Sequence, residues 1–160
     1  MYIQRTIEKS IERANKFFPV VLVTGPRQVG KTTVLQNCET QPRTYVSLDT
    51  LENRELAKND PTLFLQRYPA PVLIDEIQYA PELFPYIKAS VDKEKKNGMY
   101  WLTGSQQFHL MKNVSESLAG RVGILQLEGL SQDEKNGHPD VPPFLPTEEY
   151  IKTKVHSAAE

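Results

Sequence analysis

Residues Gly25 to Thr32 read G-P-R-Q-V-G-K-T, two glycines separated by four residues and followed at once by a lysine and a threonine. These residue types in this order can bind a phosphate chain. The backbone N–H groups of such a loop converge on one point and make an anion-binding nest, and the following helix aims its positive end at the same point. Gly25 and Gly30 permit backbone angles and a close approach that a Cβ would obstruct. Lys31 can reach the β- and γ-phosphates, and the Thr32 hydroxyl can hold Mg²⁺. Pro26, Arg27, Gln28, Val29 and Thr33 complete the stretch expected to line the phosphates; Arg27 could instead pair with an acidic residue.

A second constellation is V-L-I-D-E, in which an apolar run leads directly into two carboxylates, Asp75 and Glu76. In parallel sheets ligands sit at the carboxyl ends of the strands, so Asp75 falls where it can hold the water shell of Mg²⁺. Glu76 can then orient an attacking water or accept its proton. An acidic pair capping the next helix is the weaker reading. Farther on, L-T-G-S-Q-Q-F ends another apolar run. Ser105 is the first candidate there for positioning that water, with Thr103 and Gln106 behind it, and a simple polar turn at Gly104 stays open. Arg121, in S-L-A-G-R-V, could stabilise transition-state charge in its own site or in a neighbouring subunit. It reads equally well as a surface or salt-bridged arginine.

The elements that must position these residues are legible. F-F-P-V-V-L-V before the loop is a continuous apolar, β-branched run, as in a strand buried on both faces. K-T-T-V-L-Q-N-C after it contains neither Gly nor Pro. Further strands are expected at Arg43–Asp49, Pro71–Glu76, Met99–Ser105 and within R-V-G-I-L-Q-L-E-G-L. Helical segments lie between them, including two pieces broken near Pro61. Strands separated by helices imply parallel pairing with right-handed crossovers, hence an α/β fold: a three-layer α/β/α sandwich, a P-loop NTPase with a five-stranded, mainly parallel sheet. Ile3, Ile7, Ile11 and Ala14 recur at helical spacing, so an amphipathic helix is expected over 2–16. The core is expected over 1–130. From Ser131 the chain turns polar and proline-rich, so 131–160 is expected to be a connector and the start of a C-terminal helix, capped by Thr147, or of a missing second domain.

The chain has 160 residues, enough for one domain with a proper core, and its net charge is −1. That charge argues against a strongly basic nucleic-acid surface but leaves a local patch open. The charged N-terminus lacks a signal peptide's apolar core, and no apolar run is long enough to span a membrane, so a cytoplasmic location is expected. Cys38 is the sole cysteine, which leaves no intramolecular disulfide, and it reads as a small packed hydrophobe. His109, His138 and His156 show no metal-ligand spacing.

Taken together, G-P-R-Q-V-G-K-T-T, V-L-I-D-E-I-Q-Y-A-P-E-L-F, W-L-T-G-S-Q-Q-F-H-L-M and S-L-A-G-R-V resemble the ATPase domain of a widespread bacterial and archaeal group in the AAA+ superfamily, from about Tyr2 to Tyr150. The resemblance implies ATP and Mg²⁺ as ligands. It also implies Lys31 and Thr32 as Walker A, Asp75 and Glu76 as Walker B, Ser105 near sensor one, and Arg121 as an arginine-finger equivalent. Members of the group usually carry a C-terminal domain after a connector like P-P-F-L-P-T, here Pro142 to Thr147. The AAA+ helical lid and its sensor-two arginine are not recognisable. An ATPase driving conformational change in an attached or partner module is the favoured reading, with homo-oligomerisation open. A small-molecule kinase would want an arginine-rich lid, and a GTPase would want N-K-x-D; neither is present. The alternative from another class is a nucleotide-dependent switch or DNA-associated binding module with little turnover.

Overall fold

The computed structural model of the protein describes residues 2–105, 108–139, 147–148 and 151–152. Five strands, β1 (Val20–Thr24), β2 (Thr44–Ser47), β3 (Val72–Asp75), β4 (Tyr100–Gly104) and β5 (Val122–Gln126), form one sheet in the order β2-β3-β4-β1-β5. Every neighbouring pair is parallel. Val20 is level with both Tyr100 and Val122, and Val72 with both Thr44 and Tyr100.

The apolar run of β1 is explained by its surroundings, since all its residues are buried and helices cover both faces. Val20 and Leu22 point to one side, where Val72, Ile74 and Leu102 join them. That face is covered by Phe64 of α4 (Pro61–Arg67), Phe84, Ile87 and Val91 of α5 (Leu83–Glu94) and Leu110 and Val114 of α6 (Phe108–Ser117). Ala57 of α3 (Leu51–Asn59) packs into the same cluster. Val21 and Val23 point the other way, with Leu73 and Trp101. Here the cover is Ile11 and Ala14 of α1 (Glu8–Phe17) with Val34 and Leu35 of α2 (Lys31–Asn37). The result is the expected three-layer sandwich, each buried aliphatic or aromatic side chain contributing about 1.5–3 kcal/mol. Cys38 is buried in the second cluster, and burial pushes its thiol up to about 12.

The helical break near Pro61 is present, because Pro61 opens α4 and the Asp60 carboxylate accepts from the Leu63 N–H at 2.9 Å. The N-terminal helix is shorter than its apolar spacing suggests. It begins at Glu8 and not at residue 2. The reason is that the preceding residues spend their polar groups elsewhere: Arg5 is buried, its N–H donates to Glu8 Oε1 at 2.7 Å, and the Thr6 N–H donates to Glu134 Oε1 at 2.9 Å. Past β5 the connector also holds a short helix, α7 (Gln132–Lys135), closed by a capping box between Ser131 and Glu134. The proline-rich stretch expected at 142–146 lies outside the described residues. No helix among the described residues is long and apolar enough to cross a membrane.

Candidate functional site

Loop 25–30 leaves the carboxyl end of β1 and enters α2 at Lys31. Its glycines answer two different constraints. At Gly25, with φ of 152°, a Cβ would lie 2.1 Å from the Leu127 carbonyl oxygen, so only glycine fits. Gly30 has φ of 94° and turns the chain into the helix in the left-handed region. Gln28 is a non-glycine at φ of 61°, a conformation of the sort that collects at functional loops. Lys31 is only 5 % exposed, and its Nζ donates to the carbonyls of Gly25 at 3.2 Å and Pro26 at 2.8 Å. The ammonium is thus folded over the loop that precedes it.

Three hydroxyls from three elements meet on Asp75 at the end of β3. Thr32 Oγ1 of α2 donates to Oδ1 at 2.6 Å, Thr103 Oγ1 of β4 donates to the same oxygen, and Tyr45 OH of β2 reaches Oδ2 at 3.4 Å. Burial and then the Asp75 charge raise the Tyr45 phenol above its ordinary value. Thr103 also accepts from the Glu76 backbone N–H at 3.1 Å, so one buried hydroxyl ties the Asp75 carboxylate and the Glu76 backbone to the next strand. Glu76 stands at φ of 59°, and its Oε2 accepts from Gln78 Nε2. The Thr32 hydroxyl and the Asp75 carboxylate converge from two elements to make a hard-oxygen pair of the kind that suits Mg²⁺.

Beside the loop, Arg27, Gln28, Asp49, Glu76 and Tyr79 line a cleft of about 240 Å³. Arg27 NH2 donates to Tyr79 OH at 3.0 Å, and the Arg54 guanidinium lies 3.9 Å from the centre of the same ring. On the other side, Tyr2, Ile3, Arg5, Val34, Asn37 and Leu130 line a cleft of about 440 Å³, together with Val29, Gly30 and Thr33.

Not every expected residue comes to this place in the same way. Ser105 follows β4 with its Oγ buried and without a hydrogen-bond partner among the described residues, whereas Thr103, ranked behind it on sequence, makes the contact to Asp75. The register of the two strands carries that distinction. β3 and β4 pair Leu73 with Trp101 and Ile74 with Leu102, so one step on sets Thr103 beside Asp75. Gln106 lies outside the described residues.

Arg121 stands apart. It immediately precedes β5, level with the start of β1, while the loop follows the end of β1. Five parallel residues separate the two ends of the sheet, roughly 15 Å. Its guanidinium forms a two-point pair with Asp92 of α5, Nε to Oδ1 at 2.6 Å and NH2 to Oδ2 at 3.0 Å, and does not reach the loop of its own chain. That pair raises the Arg121 pKa and lowers that of Asp92. Sequence reading did not single out Arg5, which donates from NH1 to the Val29 carbonyl at 3.2 Å and from NH2 to the Glu128 carbonyl at 2.7 Å. An arginine within the helix expected over 2–16, fifteen residues ahead of β1, carries no local mark of such a role.

Among known proteins the chain is similar to two long relatives. An uncharacterized protein of Mycobacterium tuberculosis, Rv2008c, and one of Mycobacterium bovis, Mb2031c, are each 37 % identical to it over 130 residues. The match covers 80 % of this chain and 29 % of each relative, so the chain spans under a third of the length of the curated relatives it matches. A family model described as an AAA domain matches residues 17–136, which include β1, the loop, both carboxylates and the whole sheet. With a parallel P-loop architecture, a glycine-bounded loop at the end of β1 and a carboxylate pair at the end of β3, the chain belongs to the AAA domain family of P-loop ATPases.

Proposed function

We propose that this domain binds ATP with Mg²⁺ on the 25–33 loop, hydrolyses the γ-phosphate, and uses the cycle to rearrange an attached or partner module. The observation that carries the reading is the convergence of Thr32 and Thr103 on Asp75, with Glu76 held next to it by the same Thr103 hydroxyl. Thr32 and Asp75 would hold the metal, which supplies charge neutralisation at the phosphates when bound. Lys31 releases the loop carbonyls to meet the phosphate oxygens, exchanging neutral acceptors for charged ones. Glu76, in the lining of the 240 Å³ cleft, takes the proton of the attacking water. Tyr2, Ile3, Val34 and Leu130 offer apolar surface for the base in the 440 Å³ cleft on the opposite side of the loop.

One contact favours a second reading, a nucleotide-dependent switch with little turnover. Gln78 donates to the Glu76 carboxylate, and a carboxylate oxygen engaged in this way is not free to meet an attacking water. The experiment is to measure ATP affinity by calorimetry and phosphate release for the parent and for Glu76→Gln. Under the ATPase reading both proteins bind ATP alike and release falls roughly 10²-fold or more in the variant. Equal, negligible release from both, with binding intact, supports the switch; absence of ATP binding to the parent defeats both readings.

A further inference from the structure

The carbonyls of a phosphate loop face outward when its N–H groups face in, and they need donors of their own. For Val29 that donor is Arg5 NH1, at 3.2 Å. The other arm of the guanidinium, NH2, holds the Glu128 carbonyl at 2.7 Å, in the segment that leaves β5. The group is itself set by Glu134 of α7, whose Oε1 lies 3.2 Å from Arg5 Nε, an ion pair without an aligned hydrogen bond. Both side chains are almost fully buried, at 7 and 6 % exposure. Glu134 is fixed in turn by the N–H groups of Thr6 at 2.9 Å and Ser131 at 2.8 Å. Thr6 Oγ1 donates onward to the Pro139 carbonyl at 2.7 Å.

A second strut joins the same two parts of the molecule. The Leu127 N–H donates to the Thr24 carbonyl at 2.8 Å, and the Leu127 carbonyl lies so close to Gly25 that no Cβ fits between them. The loop is therefore held near its start by Leu127 and near its end by Arg5, and both holds run into the segment 127–139. A buried ion pair is weak evidence for stability, because desolvation offsets most of its attraction. Breaking one side, however, leaves an uncompensated charge, so such a pair suits a coupling contact that keeps one geometry.

We propose that Arg5, set by Glu134, is a positioning residue of the phosphate loop, through which occupation of the loop by nucleotide tightens the docking of residues 131–139. The inference rests on the ATP reading above. By reciprocity, the docked segment raises nucleotide affinity by the same factor that nucleotide stabilises the segment. The chain past Pro139 thereby receives the state of the site from the first residues of the domain.

The test uses ATP with Mg²⁺ and the 160-residue chain. Amide hydrogen exchange of residues 131–137 is followed in the parent with and without nucleotide, which needs no variant. ATP affinity is then measured by calorimetry for the parent, Arg5→Lys and Glu134→Gln, with thermal melts of each. Coupling predicts slower exchange in 131–137 on ATP binding and a roughly five- to tenfold loss of affinity in Glu134→Gln, a side chain away from the loop. Arg5→Lys should lose affinity to a similar degree, since one ammonium cannot span two carbonyls and a carboxylate. Unchanged affinity in both variants, with lower melting temperatures and no nucleotide effect on exchange in the parent, overturns the proposal and leaves Arg5–Glu134 as a structural pair. A parent that binds no ATP overturns the ATP reading itself, and the coupling with it.

Discussion

Thr32 Oγ1 donates to Asp75 Oδ1 at 2.6 Å, joining two residues 43 positions apart in the chain. Neither partner alone is informative, since hydroxyls and carboxylates are common at strand and helix ends. Their meeting at the end of the sheet makes one oxygen-rich point, and the Thr103 hydroxyl arrives at that point from the next strand.

Thr103 should therefore matter more to turnover than to binding. Thr103→Val removes the hydroxyl that receives the Glu76 N–H and donates to Asp75. An unmade hydrogen bond at a buried group costs about 1–3 kcal/mol, so a tenfold or larger fall in phosphate release is expected, roughly. ATP affinity should stay within about threefold, and Thr103→Ser should recover most of the rate. Ser105→Ala is the comparison; a larger loss there than in Thr103→Val would reverse their order.

Lys31→Ala deletes the ammonium that lies over the carbonyls of Gly25 and Pro26. The expected outcome is a fall in ATP affinity of at least tenfold, about 1.4 kcal/mol, read by calorimetry. Undiminished affinity would remove the loop from the nucleotide site.

Glu134 gives the fold an acid-sensitive contact. Burial pushes its carboxyl up, but the N–H donors of Ser131 and Thr6 and then the Arg5 charge outweigh burial and hold it below the ordinary value of 4.5. A carboxyl depressed in this way stabilises the folded state fully above 4.5 and loses that contribution as pH falls through the folded value. Glu134→Gln should cost about 2 kcal/mol in urea unfolding at neutral pH. The gap to the parent should narrow steadily on acidification below the ordinary carboxyl value. A gap that is constant with pH would assign the loss to packing.

Arg121 can serve chemistry only from a neighbouring subunit, since it is paired with Asp92 at the far end of the sheet from its own loop. About a third of its side chain is exposed there. If it completes a partner's site, specific activity should rise with protein concentration. Mixing Arg121→Ala subunits with Glu76→Gln subunits should restore part of the activity each lacks, because fingers supplied in trans contribute roughly 10³ to 10⁵ in rate. Activity independent of concentration, with no recovery on mixing, would leave Arg121 as a surface partner of Asp92.

The sequence by itself determined the layers, the strands and the loop, because those depend on short-range signals. Apolar runs such as V-V-L-V mark strands covered on both faces, Pro61 marks a helix start, and the glycine spacing before Lys31 marks a backbone that a Cβ would block. The carboxylate pair at the end of β3 was equally visible, being contiguous with its strand. What only the tertiary structure decided were the pairings between elements distant in the chain. Thr103 and not Ser105 contacts Asp75 because the register of β3 and β4 sets it there. Arg121 falls at the opposite end of the sheet because parallel strands place a residue preceding β5 far from one following β1. Residues 2–6 leave the helix that their spacing suggests because Arg5 finds acceptors 24 and 123 positions away. Local propensity carries no record of such distant partners, and buried hydrogen bonds between them outweigh the weak preference for one more helical turn.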